Sequence, residues 1–240
     1  MHASDPLKKN QGRIVILGGF LSHSSFYTDL KGAISSLSGR DVKIVEIPPR
    51  SWFSLLFPAG WRPVLSRLEQ NLTSMQALDP AKSITLIGHS LGGVLGYLYL
   101  LSPRIGESRL HGSDFIHRLI TLGSPHFNQC RWLHGGLVST YIKKWAQRHP
   151  FPPDIHLTCI AGKKVKGHPR GTRAQKKAFK MYKRLTGEGE TWGDGIIPLS
   201  AALLPQAAHI ILDGVGHFSR SGDPWYGSEE TVAQWWSQIQ

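Results

Sequence analysis

Gly88-His89-Ser90-Leu91-Gly92 places a hydroxyl between two glycines at a spacing suited to nucleophilic chemistry. A serine at the tip of a tight strand-to-helix turn needs small neighbours two positions before and after it, because the flanking backbones approach closely there. Such a turn exposes the hydroxyl, aims a helix N-terminus at it and leaves the Leu91 amide free to hold a developing oxyanion. Two further groups complete a proton-transfer set in chain order: Asp194, between Gly193 and Gly195, and His217, after Gly216. These residue types support attack of Ser90 on an acyl carbonyl. His217 would take and return the proton, and Asp194 would orient and stabilise the imidazole.

Other residues compete for these roles. Asp213 and Asp223 lie close to His217 in sequence, but Asp213 sits at the base of the His217 loop and Asp223 precedes Pro224 in a late turn. Asp194 is therefore the expected acid. His89 should point away from the nucleophile and be structural. A second oxyanion amide is expected from the loop Gly18-Gly19-Phe20-Leu21, with Phe20 and Leu21 both open as donor. His126, in Gly123-Ser124-Pro125-His126-Phe127, precedes the acid and base and is read as pocket wall with Gly19, Ser124 and Phe127.

The elements that would position these groups alternate. Arg13-Ile14-Val15-Ile16-Leu17, Val42 to Ile47, Ser83 to Gly88, Phe115 to Gly123, Asp154 to Gly162 and His209 to Asp213 are short apolar runs that read as buried strands. Between them lie helical patterns over about 24–37, 64–78, 91–101 and 137–147, with a terminal helix over about 229–239. This alternation predicts an α/β fold, a mostly parallel sheet with helices on both faces, in one domain over 1–240. A small cap is expected over about 128–153 and a basic, partly helical insertion over about 163–186. The stretch 51–61, cut by prolines at 58 and 63, reads as a loop. Its Trp52, Phe53 and Trp61 would either form an apolar substrate-entry or lipid-facing surface or fold over the core.

Composition bounds the rest. The 240 residues are 40% hydrophobic, and no run reaches the ~20 apolar residues that span a bilayer. The first residues do not read as a signal peptide, so a cytoplasmic location is expected. Cys130 and Cys159 permit one disulfide without arguing for it, and the twelve histidines fall in no metal-binding array. No metal or organic cofactor is implied, and a monomer is assumed. The formal charge is +12, concentrated between Lys163 and Arg184, where ten Lys or Arg occur without an acid. That segment could draw the chain to anionic lipid, bind nucleic acid, or be a solvated loop. Only Phe179 and Tyr182 interleave it and no nucleic-acid motif is present, which disfavours nucleic acid.

The sequence resembles the α/β-hydrolase superfamily, within it the lipase-like branch that includes the inositol deacylases of GPI anchors and related triacylglycerol lipases. The resemblance rests on Gly88-His89-Ser90-Leu91-Gly92-Gly93, Thr121-Leu122-Gly123-Ser124-Pro125-His126, Gly193-Asp194-Gly195-Ile196-Ile197-Pro198-Leu199 and Gly216-His217. More closely, the chain is similar to a group of uncharacterised hydrolases of cyanobacteria and plant plastids, through Ser200-Ala201-Ala202-Leu203-Leu204 and Trp225-Tyr226-Gly227-Ser228. The resemblance implies a serine hydrolase acting on a carboxylic ester, with an apolar or lipid acyl group, through Ser90, Asp194 and His217. Two departures, Gly19-Phe20 where many esterases carry His-Gly and a cap smaller than a lipase lid, keep smaller esters open. Thioesters and amides are alternatives within the same chemistry. A non-catalytic anion-binding protein on this scaffold, using the 163–184 segment, is the alternative outside it.

Overall fold

The computed structural model describes residues 12–57, 59–78, 83–101, 104–105, 108–129, 136–219 and 222–239. The polar lead-in before Gly12, the Asp79-Pro80 helix stop, Ser102-Pro103 and Cys130 lie outside them. Six strands form the main sheet: β1 (Arg13–Leu17), β2 (Val42–Val45), β3 (Ile84–His89), β4 (Ile116–Leu122), β5 (His156–Lys163) and β6 (Ala208–Asp213). Their order is β6-β5-β4-β3-β1-β2, and every pairing is parallel.

Parallel strands need long crossovers, and these supply helices to both faces. The helices are α1 (Thr28–Ser38), α2 (Pro49–Phe53), α3 (Arg62–Leu78), α4 (Leu91–Leu100), α5 (Gly136–Ala146), α6 (Arg173–Thr186), α7 (Leu199–Ala202) and α8 (Glu229–Trp236). The strands are therefore apolar on both sides. In β1, Val15 and Leu17 join the core beneath α3 and α4, while Ile14 and Ile16 join the one beneath α1 and α8. Each such fully buried aliphatic side chain contributes about 1.5–3 kcal/mol. On α3, Val64, Leu65, Leu68, Leu72 and Met75 form the inward stripe. Leu30, Ala33 and Ile34 of α1 meet Val232 and Trp235 of α8 across the opposite layer.

The 51–61 stretch differs from the expected loop. Pro49 at the first helical position starts α2, and a 3-10 turn over Ser54–Leu56 follows. One turn of helix sends neighbouring aromatics to opposite sides. Trp52 is buried beside Phe20, and Phe53 is 53% exposed. Trp61 is buried with its ring 4.9 Å from that of Tyr141 on α5. The exposed apolar surface of this region is thus Phe53 and Phe57, not the two tryptophans.

Other elements depart by a few residues. The first helical stretch begins as a 3-10 turn over Ser24–Tyr27, and α8 stops at Trp236. The basic insertion is ordered: α6 carries a Thr172/Gln175 capping box, ends at left-handed Gly187, and buries Ala178, Tyr182 and Leu185.

Candidate active site

The strand order reverses direction around β1 and β3, since the chain first moves from β1 to β2 and then crosses back past β1 to β3 and β4. In open α/β sheets the crevice beyond the carboxyl ends at such a point is where ligands bind. Ser90 lies there, between β3 and α4, at φ 54° and ψ −126°. A side chain in that conformation is strained, and only tight surroundings hold it. A Cβ at Gly88 would fall 2.3 Å from the Gly93 Cα, and one at Gly92 would fall 2.2 Å from the Leu17 carbonyl oxygen. The two glycines let α4 turn back against β1 and β3.

Three residues far apart in sequence meet at this turn. The Ser90 hydroxyl lies 3.1 Å from His217 Nε2, and His217 Nδ1 lies 2.7 Å from Asp194 Oδ2. Since a carboxylate can only accept, Nδ1 carries the ring proton and Nε2 is left to accept from Ser90. Asp194 and His217 are 4% and 3% exposed. Burying a carboxylate requires filling its lone pairs. Oδ1 accepts from the Ile196 and Ile197 amides at 2.9 and 2.7 Å, and Oδ2 accepts from His217 and from the Tyr226 hydroxyl at 2.9 Å. The Ile197 amide bond explains the Gly193-Asp194-Gly195-Ile196-Ile197 turn: the acid caps its own loop. The His217 amide donates to the Asp194 carbonyl at 3.1 Å, so the two loops are also tied through backbone.

The rival acids are elsewhere. Asp213 pairs with Lys163 at 3.2 Å and Asp223 with Lys164 at 2.6 Å. Neither touches His217.

Sequence reasoning missed the layer behind these groups. Tyr226 donates to Asp194 and accepts from the Gly162 amide at 2.8 Å. Burial, then the neighbouring carboxylate, pushes its phenol well above the ordinary tyrosine value, so it stays a donor. Tyr182 of α6 accepts from the Gly195 amide at 2.8 Å, anchoring the acid loop on the basic helix. His89, expected to be structural, is fully buried and hydrogen-bonded at both ring nitrogens. Its Nε2 donates to the His217 carbonyl at 3.2 Å, and its Nδ1 lies 3.0 Å from the Tyr27 hydroxyl. Burial and the adjacent His217 lower the His89 pKa well below 6.5, which keeps its ring neutral. Tyr27 in turn accepts from the Gly19 amide at 2.8 Å, so one buried chain links the Gly18–Leu21 loop to His217.

Gly19 itself faces Ser90, where a Cβ would fall 3.0 Å from the Ser90 Cβ. Its amide is engaged by Tyr27. Among the described residues no protein acceptor takes the amides of Phe20, Leu21 or Leu91. Leu21 stands at φ 55°, a second strained position in the same loop.

The other expected pocket residues separate. Ser124 is buried behind the turn, where its Oγ would collide with any side chain at position 93. His126 is not pocket wall: its ring is buried between Thr121 Oγ1 at 3.2 Å and Tyr97, and burial lowers its pKa to about 3. The Ser124-Pro125 turn directs it inward, under the sheet. Phe127 is exposed on the surface. Trp61 is core. Trp52 lines a cavity of about 230 Å³ at the ends of β1 and β2, shared with Gly18 and Tyr27. A larger cavity of about 630 Å³ lies beside His217 and Asp194, walled by Lys164, Arg173, Lys177 and Phe218. Among the described residues no cluster of His, Cys, Asp or Glu could hold a metal ion, and no helix is long and apolar enough to cross a membrane.

A parallel sheet with helices on both faces and a strained serine turn after its central strand define an α/β-hydrolase fold. The family described as "PGAP1-like alpha/beta domain" matches residues 65–148, so the segment from α3 through α5 is similar to a lipase-like branch of that fold. No curated protein matches the sequence. Among solved structures, a metagenomic carboxyl esterase, MGS0156, aligns with a TM-score of 0.63 at 12% identity, covering 97% of this chain and 77% of its own. Phospholipase PlaB from Legionella pneumophila aligns with a TM-score of 0.62 at 12% identity, covering 89% of this chain and 53% of its own. The chain thus spans about half of that phospholipase. Est1E from Butyrivibrio proteoclasticus aligns with a TM-score of 0.51 at 13% identity, covering 96% and 88%. At these identities the likeness is one of fold.

Proposed function

We propose that the protein is a serine hydrolase that cleaves a carboxylic ester with an apolar acyl group. The observation that carries the reading is the unbroken line from the Ser90 hydroxyl through His217 to Asp194, at 3.1 and 2.7 Å, on a strained turn. The neighbours in fold include a carboxyl esterase and a phospholipase, which supports an ester as the scissile bond.

The steps follow from the atoms. Ser90 Oγ attacks the carbonyl carbon as its proton passes to His217 Nε2. Negative charge collects on the carbonyl oxygen, held by the Leu91 amide and by that of Phe20 or Leu21. The imidazolium, braced by Asp194 on Nδ1, gives the proton to the departing alcohol oxygen as the C–O bond breaks. Water then attacks the acyl-Ser90 ester, His217 takes its proton and passes it to Ser90 Oγ, and the acid leaves.

Phe20, Leu21, Phe53, Phe57 and Phe218 are exposed apolar side chains, the first two in the loop facing Ser90. They supply the apolar surface for an acyl chain. With the cations of 163–184, they also support peripheral contact with an anionic membrane by an otherwise cytoplasmic protein.

A p-nitrophenyl ester series from acetyl to palmitoyl, run beside Ser90→Ala, tests the reading. Turnover lost in Ser90→Ala is expected, with preference for the longer chains. No turnover at any length and no labelling by a fluorophosphonate probe would overturn it in favour of a binding role.

A further inference from the structure

The cavity beside His217 has one wall of unusual charge. Lys164 comes from the strand end after β5, and Arg173 and Lys177 are one helical turn apart at the start of α6. Lys164 meets Asp223, but among the described residues Arg173 and Lys177 meet no carboxylate. Asp194 also borders the cavity, yet its oxygens are filled by His217, Tyr226 and two amides. Three cations against Asp223 and Asp194 give the lining a net charge of +1, and Arg173 and Lys177 are the cations left without an ion-pair partner beside the imidazole. Helix α6 contains no acid to offset them.

The position of this wall says which part of an ester it meets. The carbonyl oxygen must sit at the Leu91 side of Ser90, where the unused amides are. The leaving oxygen must sit within reach of His217 Nε2 to receive its proton. What is attached to the leaving oxygen then extends on the His217 side, toward Lys164, Arg173 and Lys177. We propose that this cavity is a subsite for a phosphate group carried on the alcohol portion of the ester. An anionic phosphate would supply the partner that Arg173 and Lys177 lack, and a guanidinium fork suits its oxygens. The inference rests on the serine-hydrolase reading and adds the substrate class to it.

Two soluble butyrate esters, one of glycerol and one of glycerol 3-phosphate, test the subsite. The native enzyme should favour the phosphorylated ester in kcat/KM by about tenfold or more at low salt, mainly through KM, with the preference shrinking as salt rises. The double variant Arg173→Gln/Lys177→Gln leaves the buried side of α6 intact. It should lose the preference and keep its rate on the neutral ester, and Arg173→Lys/Lys177→Arg should restore most of the preference. Equal use of both esters by the native enzyme, or equal slowing of both by the double variant, would overturn the subsite. So would a preference seen only when the esters are presented in anionic vesicles, since the charge would then act on the membrane. Calorimetry with glycerol 3-phosphate and Ser90→Ala separates the two readings. Binding that the double variant lacks, without turnover of any ester, keeps the subsite and sinks the hydrolase. Turnover of the neutral ester without such binding does the reverse.

Discussion

The Tyr226 hydroxyl and the His217 imidazole donate to the same oxygen of Asp194, Oδ2, at 2.9 and 2.7 Å. Tyr226 also accepts from the Gly162 amide, so it fastens the acid to the end of β5. Tyr226→Phe removes one donor and leaves a buried amide without its acceptor. The expected cost is about 1–3 kcal/mol in urea unfolding, with kcat falling by more than KM changes. A variant with native stability and native kcat would show that Asp194 needs no such support.

Gly19→Ala probes the approach of the Gly18–Leu21 loop to Ser90. The added methyl falls 3.0 Å from the Ser90 Cβ and 3.4 Å from the His89 carbonyl oxygen, so a few tenths of an ångström must be given somewhere. Since misplacement by about 1 Å can cost about a hundredfold, the expected outcome is at least a tenfold loss of kcat/KM. Thermal unfolding should move little.

Gly92→Ala should behave differently, because its methyl would meet backbone: the Leu17 and Gly18 carbonyl oxygens at 2.2 and 2.4 Å. Neither can swing aside, and α4 must shift off β1. Overpacking of this kind costs about 1–3 kcal/mol or more, so a lowered melting temperature and loss of fluorophosphonate labelling are expected together.

His126 gives a pH dependence. Its folded pKa of about 3 lies below the ordinary value of 6.5, because burial disfavours the charged ring. The unfolded chain therefore binds its proton first as pH falls. The stability this neutral ring confers is complete above pH 6.5 and is lost progressively toward pH 3. Between pH 6.5 and 4.5 the loss is about 2 kcal/mol from this residue. In urea unfolding, His126→Gln should show a shallower decline over that window than the native protein. Parallel declines would place the proton elsewhere.

Much of the candidate site is legible in the sequence because its signals are local. The glycines around Ser90 and Asp194 record turns whose backbones crowd, and the order serine, acid, histidine needs no structure to be read. The support is not legible, because it is made by tertiary contacts. Tyr226 lies in a recognisable Trp225-Tyr226 tail, yet nothing near it points to Asp194, 32 positions upstream. His89 and His217 are separated by 128 positions and meet only when the sheet is complete. His126 reads as a site residue by its place after a strand, and a turn at Ser124-Pro125 reverses that. Trp52 and Trp61 show the limit of composition: an aromatic stretch marks burial or exposure equally until the phase of its short helix is known.

The packing of α1 against α8 bears on how the protein is made. The first of these helices leaves the ribosome roughly two hundred positions before the second. Until then, Leu30 and Ile34 have no cover on that face, and neither His217 nor Tyr226 has been synthesised. With contacts so distant in sequence, closure of the layer comes late and slowly. On the proposed mechanism, the nascent chain carries Ser90 long before it carries the histidine that would activate it, so the hydroxyl would stay silent until folding is finished.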